Sequence, residues 1–273
     1  MQLFKKFSMK NNLIKKKNSE KLIINNYLKK LNLGKRTTYN FENDGAYIEK
    51  NNKRLVVTTD SISENIDFFK NDSPKSIANK IITINLSDLC AMGVYPYTYT
   101  LNLFLPDYID KRWLTVFTNE LLRLQKKYKF YLLGGDLSKS DKLILTSTFF
   151  GYSKKIIAPQ NNMDPDNDIW ITGNIGDSFI GLQILRKKIN IKNRILKKYF
   201  LNKYYYPKPQ ILGPKIINFI QSMKDISDGF ITDLNKMLNN TFGAQIFFNK
   251  LPFSSNMNKL IKSNKIIKSD IIN

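Results

Sequence analysis

The sequence contains no histidine. Without imidazole there is no Ser-His-Asp or Cys-His nucleophile, no ordinary proton shuttle working near neutral pH, and no zinc site built on ring nitrogens. Any chemistry must run on carboxylates, lysines, hydroxyls and backbone groups. Cysteine occurs once, at Cys90, which excludes an internal disulfide and fits a reducing cytoplasm. No apolar run approaches the roughly 18 residues of a membrane-spanning helix, which excludes an integral helical membrane protein. The basic stretch Met1–Lys17 has no continuous apolar core or small-residue cleavage site, so no secretory signal is expected and the expected location is cytoplasmic. Arginine is scarce, limited to Arg36, Arg54, Arg112, Arg123, Arg186 and Arg194. Proteins that read base edges favour its rigid fork, and these six are scattered.

What is present is a chain of 273 residues, enough for one large domain or two modest ones. Hydrophobic residues make up 42% and aromatics 12%, the mark of a globular protein. Lysine and arginine number 44 against 22 acids, giving a net charge of +22. Two readings stand side by side. One is compositional drift toward lysine, asparagine and isoleucine; the other is a polyanionic partner such as nucleic acid or an acidic membrane. On either reading the surface attracts anionic ligands such as nucleotides.

From Arg54 onward the pattern sharpens. Leu55-Val56-Val57-Thr58-Thr59 reads as a strand with Asp60 at its end. Ser73-Pro74 predicts a helix start, and that helix runs to about Met92 and stops at Gly93. Tyr97–Leu105 reads as a strand, Asp110 as the cap of a helix carrying Trp113, Phe117, Leu121 and Leu124, and Phe130–Leu133 and Leu143–Gly151 as further strands. An earlier helix is expected near Ser19–Leu31. The polar stretch 153–167, with Pro159 and Pro165, marks a junction. Beyond it come a strand at Asp168–Thr172, a helix from Asp177 to Lys188, an aromatic linker Tyr204–Pro209, a helix Gln210–Met223, another after Asp228-Gly229, and a strand at Gly243–Phe248. The last twenty residues read as having no clear element. Strands and helices alternate in both halves, so the class is α/β or α+β with mixed sheets.

The acids are placed informatively. Asp44 lies in the turn Asn43-Asp44-Gly45, Asp60 at a strand end, and Asp136 directly after Gly134-Gly135. Singly these are good turn chemistry; together they gather on one rim of a sheet, where α/β proteins bind ligands. Asp88 continues the apolar stripe Ile77, Ile81, Ile84 of its helix, so its carboxylate is part-buried and needs a cation or several donors. A lysine or a divalent metal would serve, and Asn85 and Ser87 suit a polar site. Gly134-Gly135-Asp136 lets backbone N–H groups approach a phosphate while the acid holds a metal. Asp225-Ile226-Ser227-Asp228 offers two acids and a hydroxyl just before a helix N-terminus, or simply an N-cap. Gly34-Lys35-Arg36-Thr37 lacks the upstream glycine and strand of a phosphate-binding loop. Hard oxygen ligands without imidazole or clustered sulfur select magnesium, and aspartate-held Mg²⁺ suits phosphoryl transfer. If the acceptor is itself a phosphate, its oxygen is already anionic and no general base is needed.

In this order, Asn43-Asp44-Gly45-Ala46, Val56-Val57-Thr58-Thr59-Asp60, Asn85-Leu86-Ser87-Asp88-Leu89-Cys90-Ala91-Met92-Gly93, Gly134-Gly135-Asp136, Ile171-Thr172-Gly173 and Asp225-Ile226-Ser227-Asp228-Gly229 closely resemble the thiamine-monophosphate kinases, within the superfamily of aminoimidazole ribonucleotide synthetase. The resemblance spans about residues 40 to 253, and the Asn85–Gly93 block is its most specific part. It implies transfer of the ATP γ-phosphoryl group to thiamine monophosphate, giving thiamine diphosphate and ADP. It also implies a homodimer whose N-terminal sheets pair. By matching position, Asp44, Thr58, Thr59, Asp60, Asp88, Asp136, Asp225 and Asp228 look like Mg²⁺ ligands, with Asp60, Asp88 and Asp136 at the catalytic centre. Gly135, Asp136 and Ser227 look like ATP contacts.

The sequence departs from the family at three places. A substrate-contacting histidine seven residues after the Thr-Thr-Asp acid is here Asp67, which can face the thiamine cation but repels its phosphate. An ATP-contacting arginine aligns with Asn161, with Lys154 and Lys155 nearby. The family continues past the equivalent of Asn273 into a Gly-Gly-Glu-Asp-Tyr-Glu segment and further strands. The expected architecture is therefore a two-domain aminoimidazole ribonucleotide synthetase-like fold with mixed sheets. Residues 1–156 form an ATP/Mg-binding and dimerisation domain, and 157–273 an α/β domain lacking part of its sheet, with an exposed strand edge. The alternatives are a non-catalytic nucleotide-binding remnant of that family and a basic nucleic-acid-binding protein.

Overall fold

The computed structural model describes residues 46–50, 53–153, 163–239 and 241–263. The expected helix at 19–31, the turn carrying Asp44, and Lys154, Lys155 and Asn161 lie outside the described residues.

The first unit is a mixed six-stranded sheet with two long helices on one face. Its strands are β1 (Ala46–Lys50), β2 (Lys53–Ser63), β3 (Thr98–Leu105), β4 (Tyr131–Gly134), β5 (Leu137–Lys139) and β6 (Ile144–Ser153). The order is β1-β2-β6-β3-β4, with β5 also against β3; β4 and β5 run parallel to β3 and the other pairs are antiparallel. Helix α1 (Pro74–Ala91) starts where Ser73 accepts the Ser76 N–H and Pro74 supplies the fixed φ of the first turn; it stops before Gly93, whose φ of 71° is left-handed. Helix α2 (Lys111–Tyr128) is capped by Asp110, which accepts the Trp113 N–H at 2.7 Å.

Period-two alternation along the strands sends Val56, Thr58 and Ile62 of β2, Tyr99 and Leu101 of β3, and Leu145, Ser147 and Phe149 of β6 inward under the helices. Phe149 stacks on Tyr99 at 4.8 Å while Phe130 meets both rings edge-on, and Ile77, Ile81, Leu86 and Leu89 of α1 close this core. The opposite face, with Val57, Thr59 and Ser61 of β2 and Thr146, Thr148, Phe150 and Tyr152 of β6, carries no helix among the described residues.

The second unit contains α3 (Asp177–Leu185), α4 (Arg194–Tyr205), the short α5 (Gly213–Ile216), α6 (Phe230–Leu238), a 3-10 turn (Phe248–Lys250) and α7 (Ser255–Lys262). It has cores of its own, around Ile180, Phe200, Met257 and Leu260, and around Ile175, Phe230 and Leu234. Asp177, buried at the start of α3, accepts the hydroxyls of Tyr199 at 2.6 Å and Ser254 at 2.7 Å, tying α3, α4 and the α7 cap together.

Several expectations change here. Strand β2 does not end at Asp60; the alternation continues through Ser61, Ile62 and Ser63, which pair with Thr146, Leu145 and Ile144. Neither 168–172 nor 243–248 forms a strand, because no partner strand lies beside them among the described residues. The backbone there bonds locally instead, as where Ile175 N–H donates to Pro252 O at 3.2 Å. One sheet is therefore described, not two. The helix expected over 210–223 shrinks to Gly213–Ile216: Pro214, with no N–H to donate, holds the start to its own first turn, and the chain beyond turns off where the Phe219 N–H donates to Ile216 O at 2.8 Å. Tyr204 and Tyr205 close α4, not a linker, and the last twenty residues contain α7.

Candidate functional site

Two elements bring the central acids together. Thr58 and Asp60 are two residues apart on β2, so both side chains face inward. Helix α1 crosses that face and delivers Asp88 from its last turn. The Thr58 hydroxyl donates to Asp88 Oδ2 at 2.8 Å, and the Asp60 and Asp88 carboxyls are themselves hydrogen-bonded. Two carboxyls so placed share a proton. Burial first, then the negative charges of Asp60 and Asp225, push Asp88 up to about 10. Burial and the same Asp88 also raise the Cys90 thiol to about 12, which makes Cys90 an inert, small apolar residue.

The other residues expected at the site are distributed around this pair. Asp225 acts electrostatically on Asp88 from the second unit. Thr59 points to the opposite face of β2, its hydroxyl 2.9 Å from that of Thr148. Asp136 sits in the break between β4 and β5; its N–H donates to Asn102 Oδ1 at 3.0 Å and its carboxylate accepts the Ser138 hydroxyl at 2.9 Å. Gly135 is needed there for space, since a Cβ would lie 1.9 Å from the Leu101 carbonyl oxygen. Asp228 pairs with Lys236 at 2.6 Å, and Ser227 is exposed at the start of α6. The Asp67 carboxylate accepts the Ser63 N–H at 2.8 Å, closing its own turn.

Sequence reasoning missed Asp233. It is 2% exposed, and its Oδ2 accepts the N–H groups of Ser227 at 2.9 Å and Asp228 at 2.8 Å, folding the Asp225–Asp228 loop against α6. The available signal was an acid in the first turn of a helix that follows an acidic loop. Lys236, which faces both Asp228 and Asp233, follows from i,i+3 spacing on that helix.

The donor set fits a hard cation. Asp60, Asp88 and Thr58 offer oxygens only, and a divalent cation would balance the charges of two part-buried carboxyls placed this close. Among the described residues no group of three or more carboxylate, thiol or imidazole side chains closes on one point. Magnesium does not require such a cage, because one or two carboxylates, water and phosphate oxygens complete its shell. No helix among the described residues is long and apolar enough to cross a membrane.

Residues 42–153 match the family described as AIR synthase related protein, N-terminal domain. Among curated proteins, the thiamine-monophosphate kinase of Buchnera aphidicola subsp. Acyrthosiphon pisum is 37% identical over 210 residues, covering 76% of this chain and 64% of that protein. The Escherichia coli K12 enzyme of the same name is 32% identical over 217 residues, covering 78% and 66%. The thiamine-monophosphate kinase structure from Stenotrophomonas maltophilia K279a superimposes with a TM-score of 0.73 at 26% identity, covering 80% of this chain and 70% of that one. AaThiL superimposes at 0.81 with 24% identity, covering 90% and 79%, a likeness of fold. The chain belongs to the thiamine-monophosphate kinase family, and it spans 64% of the length of the Buchnera relative.

Proposed function

We propose that this chain carries the chemistry of its family, the transfer of the ATP γ-phosphoryl group to thiamine monophosphate to give thiamine diphosphate and ADP. The observation that carries the reading is the Thr58–Asp88–Asp60 cluster with Asp225 beside it, an oxygen-only anionic centre in a protein without histidine. AaThiL, which shares the fold, is complexed with AMPPCP and TMP. Asp60 and Asp88 would hold Mg²⁺, with Asp225 as the nearest further carboxylate. Bound there, the ion would neutralise and orient phosphate oxygens, the main requirement of phosphoryl transfer. The remaining expected ligands, Asp44, Asp136 and Asp228, belong to the same proposal, whereas the Thr59 side chain, turned to the other face of β2 toward Thr148, lies outside it.

The chain's own residues do the positioning. Gly135 lets the chain pass close to Leu101 at the β4–β5 break beside Asp136, and the Ser227 side chain lies exposed before α6; we assign both places to ATP. An acceptor phosphate is already anionic, so the reaction needs no base. Asp67, committed to its own turn, is assigned to the thiamine cation.

The uncovered sheet face supports a homodimer. Val57, Phe150 and Tyr152 line it, and Tyr97 meets both Tyr152 and Tyr131 edge-on at 5.3 and 5.5 Å, with Tyr152 52% exposed. The two-domain division near residue 156 and a cytoplasmic location remain part of this reading. The nucleic-acid and remnant readings have no specific observation in their favour.

The test is thiamine diphosphate formation by the purified chain given thiamine monophosphate, ATP and Mg²⁺, beside Asp88→Asn. Product that vanishes in the variant is the expected result. Equal product from both proteins would remove the cluster from the reaction, and no product from the unaltered chain would remove the activity.

A further inference from the structure

Between β2 and α1 the chain makes two turns, and the first, Ser63–Phe68, carries Asp67. It is built tightly. Asn65 takes the left-handed conformation at φ 65°, its N–H donates to Phe68 O at 2.7 Å, and the Ile66 and Asp67 N–H groups donate to Ser63 O at 3.2 and 2.9 Å. Buried Glu64 accepts the Leu143 N–H at 3.2 Å and the Tyr108 hydroxyl, anchoring the near end to β6 and to the loop before α2. The far end is held by a lysine. Lys80, one and a half turns into α1, donates from Nζ to the Asp67 carbonyl oxygen at 2.7 Å.

That ammonium also lies 3.9 Å from the ring centre of Tyr204, in the last turn of α4. The Tyr204 hydroxyl reaches the same Asp67 carbonyl at 3.4 Å, and its ring lies 6.2 Å from Phe69. Cation, carbonyl and aromatic face thus meet at one point, where α1, the Asp67 turn and α4 join. Burial opposes a charge here, pressing Lys80 down to about 8 against the pull of Asp72 and Asp67. A neutral or apolar side chain would fill the same space without that cost, so packing alone does not account for a lysine.

We propose that Lys80 is a positioning residue: held between the Asp67 carbonyl and the Tyr204 ring, it fixes the Asp67 turn against α1 and registers that turn to the second unit. Resting on the proposed kinase function, this makes Lys80 a determinant of thiamine-phosphate affinity through Asp67, without contact with the reacting phosphates. Lys80→Met keeps the stem and removes the pin; Lys80→Arg keeps a donor and a cation for the ring.

Two measurements on the full chain test the proposal. In amide hydrogen exchange, Lys80→Met is expected to speed exchange at Asn65, Ile66 and Asp67 about tenfold while β2 and the core of α1 keep wild-type rates, with Lys80→Arg restoring much of the protection. In steady-state kinetics, KM for thiamine monophosphate is expected to rise about tenfold in Lys80→Met, with KM for ATP and kcat within about twofold of wild type. Unchanged exchange in the turn, or faster exchange throughout the sheet and helices, overturns the proposal. So does an equal rise in both KM values. If the unaltered chain forms no thiamine diphosphate, the kinase reading fails, and the exchange arm still decides whether Lys80 pins the turn.

Discussion

Replacing Asp88 by asparagine should stabilise the metal-free protein and destroy its response to magnesium. Asparagine keeps the size, keeps an oxygen to accept the Thr58 hydroxyl, and adds N–H donors toward Asp60. What it removes is a charge that burial, Asp60 and Asp225 all disfavour. With its folded value raised from 3.8 to about 10, Asp88 keeps its proton in the folded state and loses it in the unfolded one. The folded chain therefore binds more protons across that window, and stability falls as pH rises from about 4 toward 10. Linkage sets a ceiling of about 4 kcal/mol on this loss at pH 7, and relaxation with water entry at a part-buried site brings it to about 2 kcal/mol. In EDTA at pH 8 the variant should melt about 5 °C above wild type, and the gap should close at pH 4.5. Saturating Mg²⁺ with ATP should raise the wild type by about 3 kcal/mol at a hundredfold excess over Kd and leave the variant unmoved, reversing the order. Scanning calorimetry in both buffers reads this directly. A variant less stable than wild type in EDTA at pH 8, or one with an undiminished magnesium shift, would refute the like-charge account of the pair.

Three further outcomes follow from the geometry. Gly135→Ala places a Cβ 1.9 Å from the Leu101 carbonyl oxygen, so the β4–β5 break must move; a loss of about 1–3 kcal/mol in urea unfolding and weaker ATP binding in calorimetric titration are expected. Asp233→Asn withdraws the charged acceptor of the Ser227 and Asp228 N–H groups and leaves Lys236 with one carboxylate; a loss of about 2 kcal/mol is expected, with faster amide exchange at Ser227 and Asp228. Tyr152→Glu places a charge on the sheet face assigned to pairing; the proposed homodimer is expected to dissociate in sedimentation equilibrium while the monomer's circular dichroism is unchanged.

The first unit was legible because its signals are local. Ser73-Pro74, Asp110 and the β-branched run at Leu55 each fix an element within a few residues, and the inward pairing of Thr58 with Asp60 follows from strand alternation alone. That Asp88 needs a partner was readable from its place on the isoleucine stripe. That the partner is a second carboxyl depended on how α1 crosses β2, which no sequence window contains. The second unit was less legible for a related reason. Ile169-Trp170-Ile171 has strand composition, but a strand exists only beside another, and here Trp170 is 87% exposed with no ladder. Tyr204-Tyr205-Tyr206 read as a linker because Pro207 and Pro209 follow, while the helix before them shows no sharp apolar stripe. Lys80 gave no signal at all, since lysine is common throughout the chain.

The three acids that act on one another come from three different places in the chain: Asp60 from β2, Asp88 from α1 and Asp225 from the loop before α6. Asp88 is protonated in the metal-free protein, so the like charges that remain are Asp60 on the first unit and Asp225 on the second, and their repulsion works against the seating of the second unit on the first. The contacts that resist it lie elsewhere on α1, at Lys80 with Tyr204 and where Gly213 approaches the Cys90 carbonyl so closely that a Cβ would stand 1.8 Å from its oxygen. A cation held by Asp60 and Asp88 would displace the Asp88 proton and turn the three carboxylates into a force that joins the units. Magnesium and nucleotide binding should then be coupled to the arrangement of the units, and to the Asp67 turn that shares the Tyr204 contact. In that arrangement Gly213→Ala, which presses on the Cys90 carbonyl two residues from Asp88, should weaken magnesium binding about as much as it loosens α5 from α1, a correlation that titration calorimetry and amide exchange on the same variant would test.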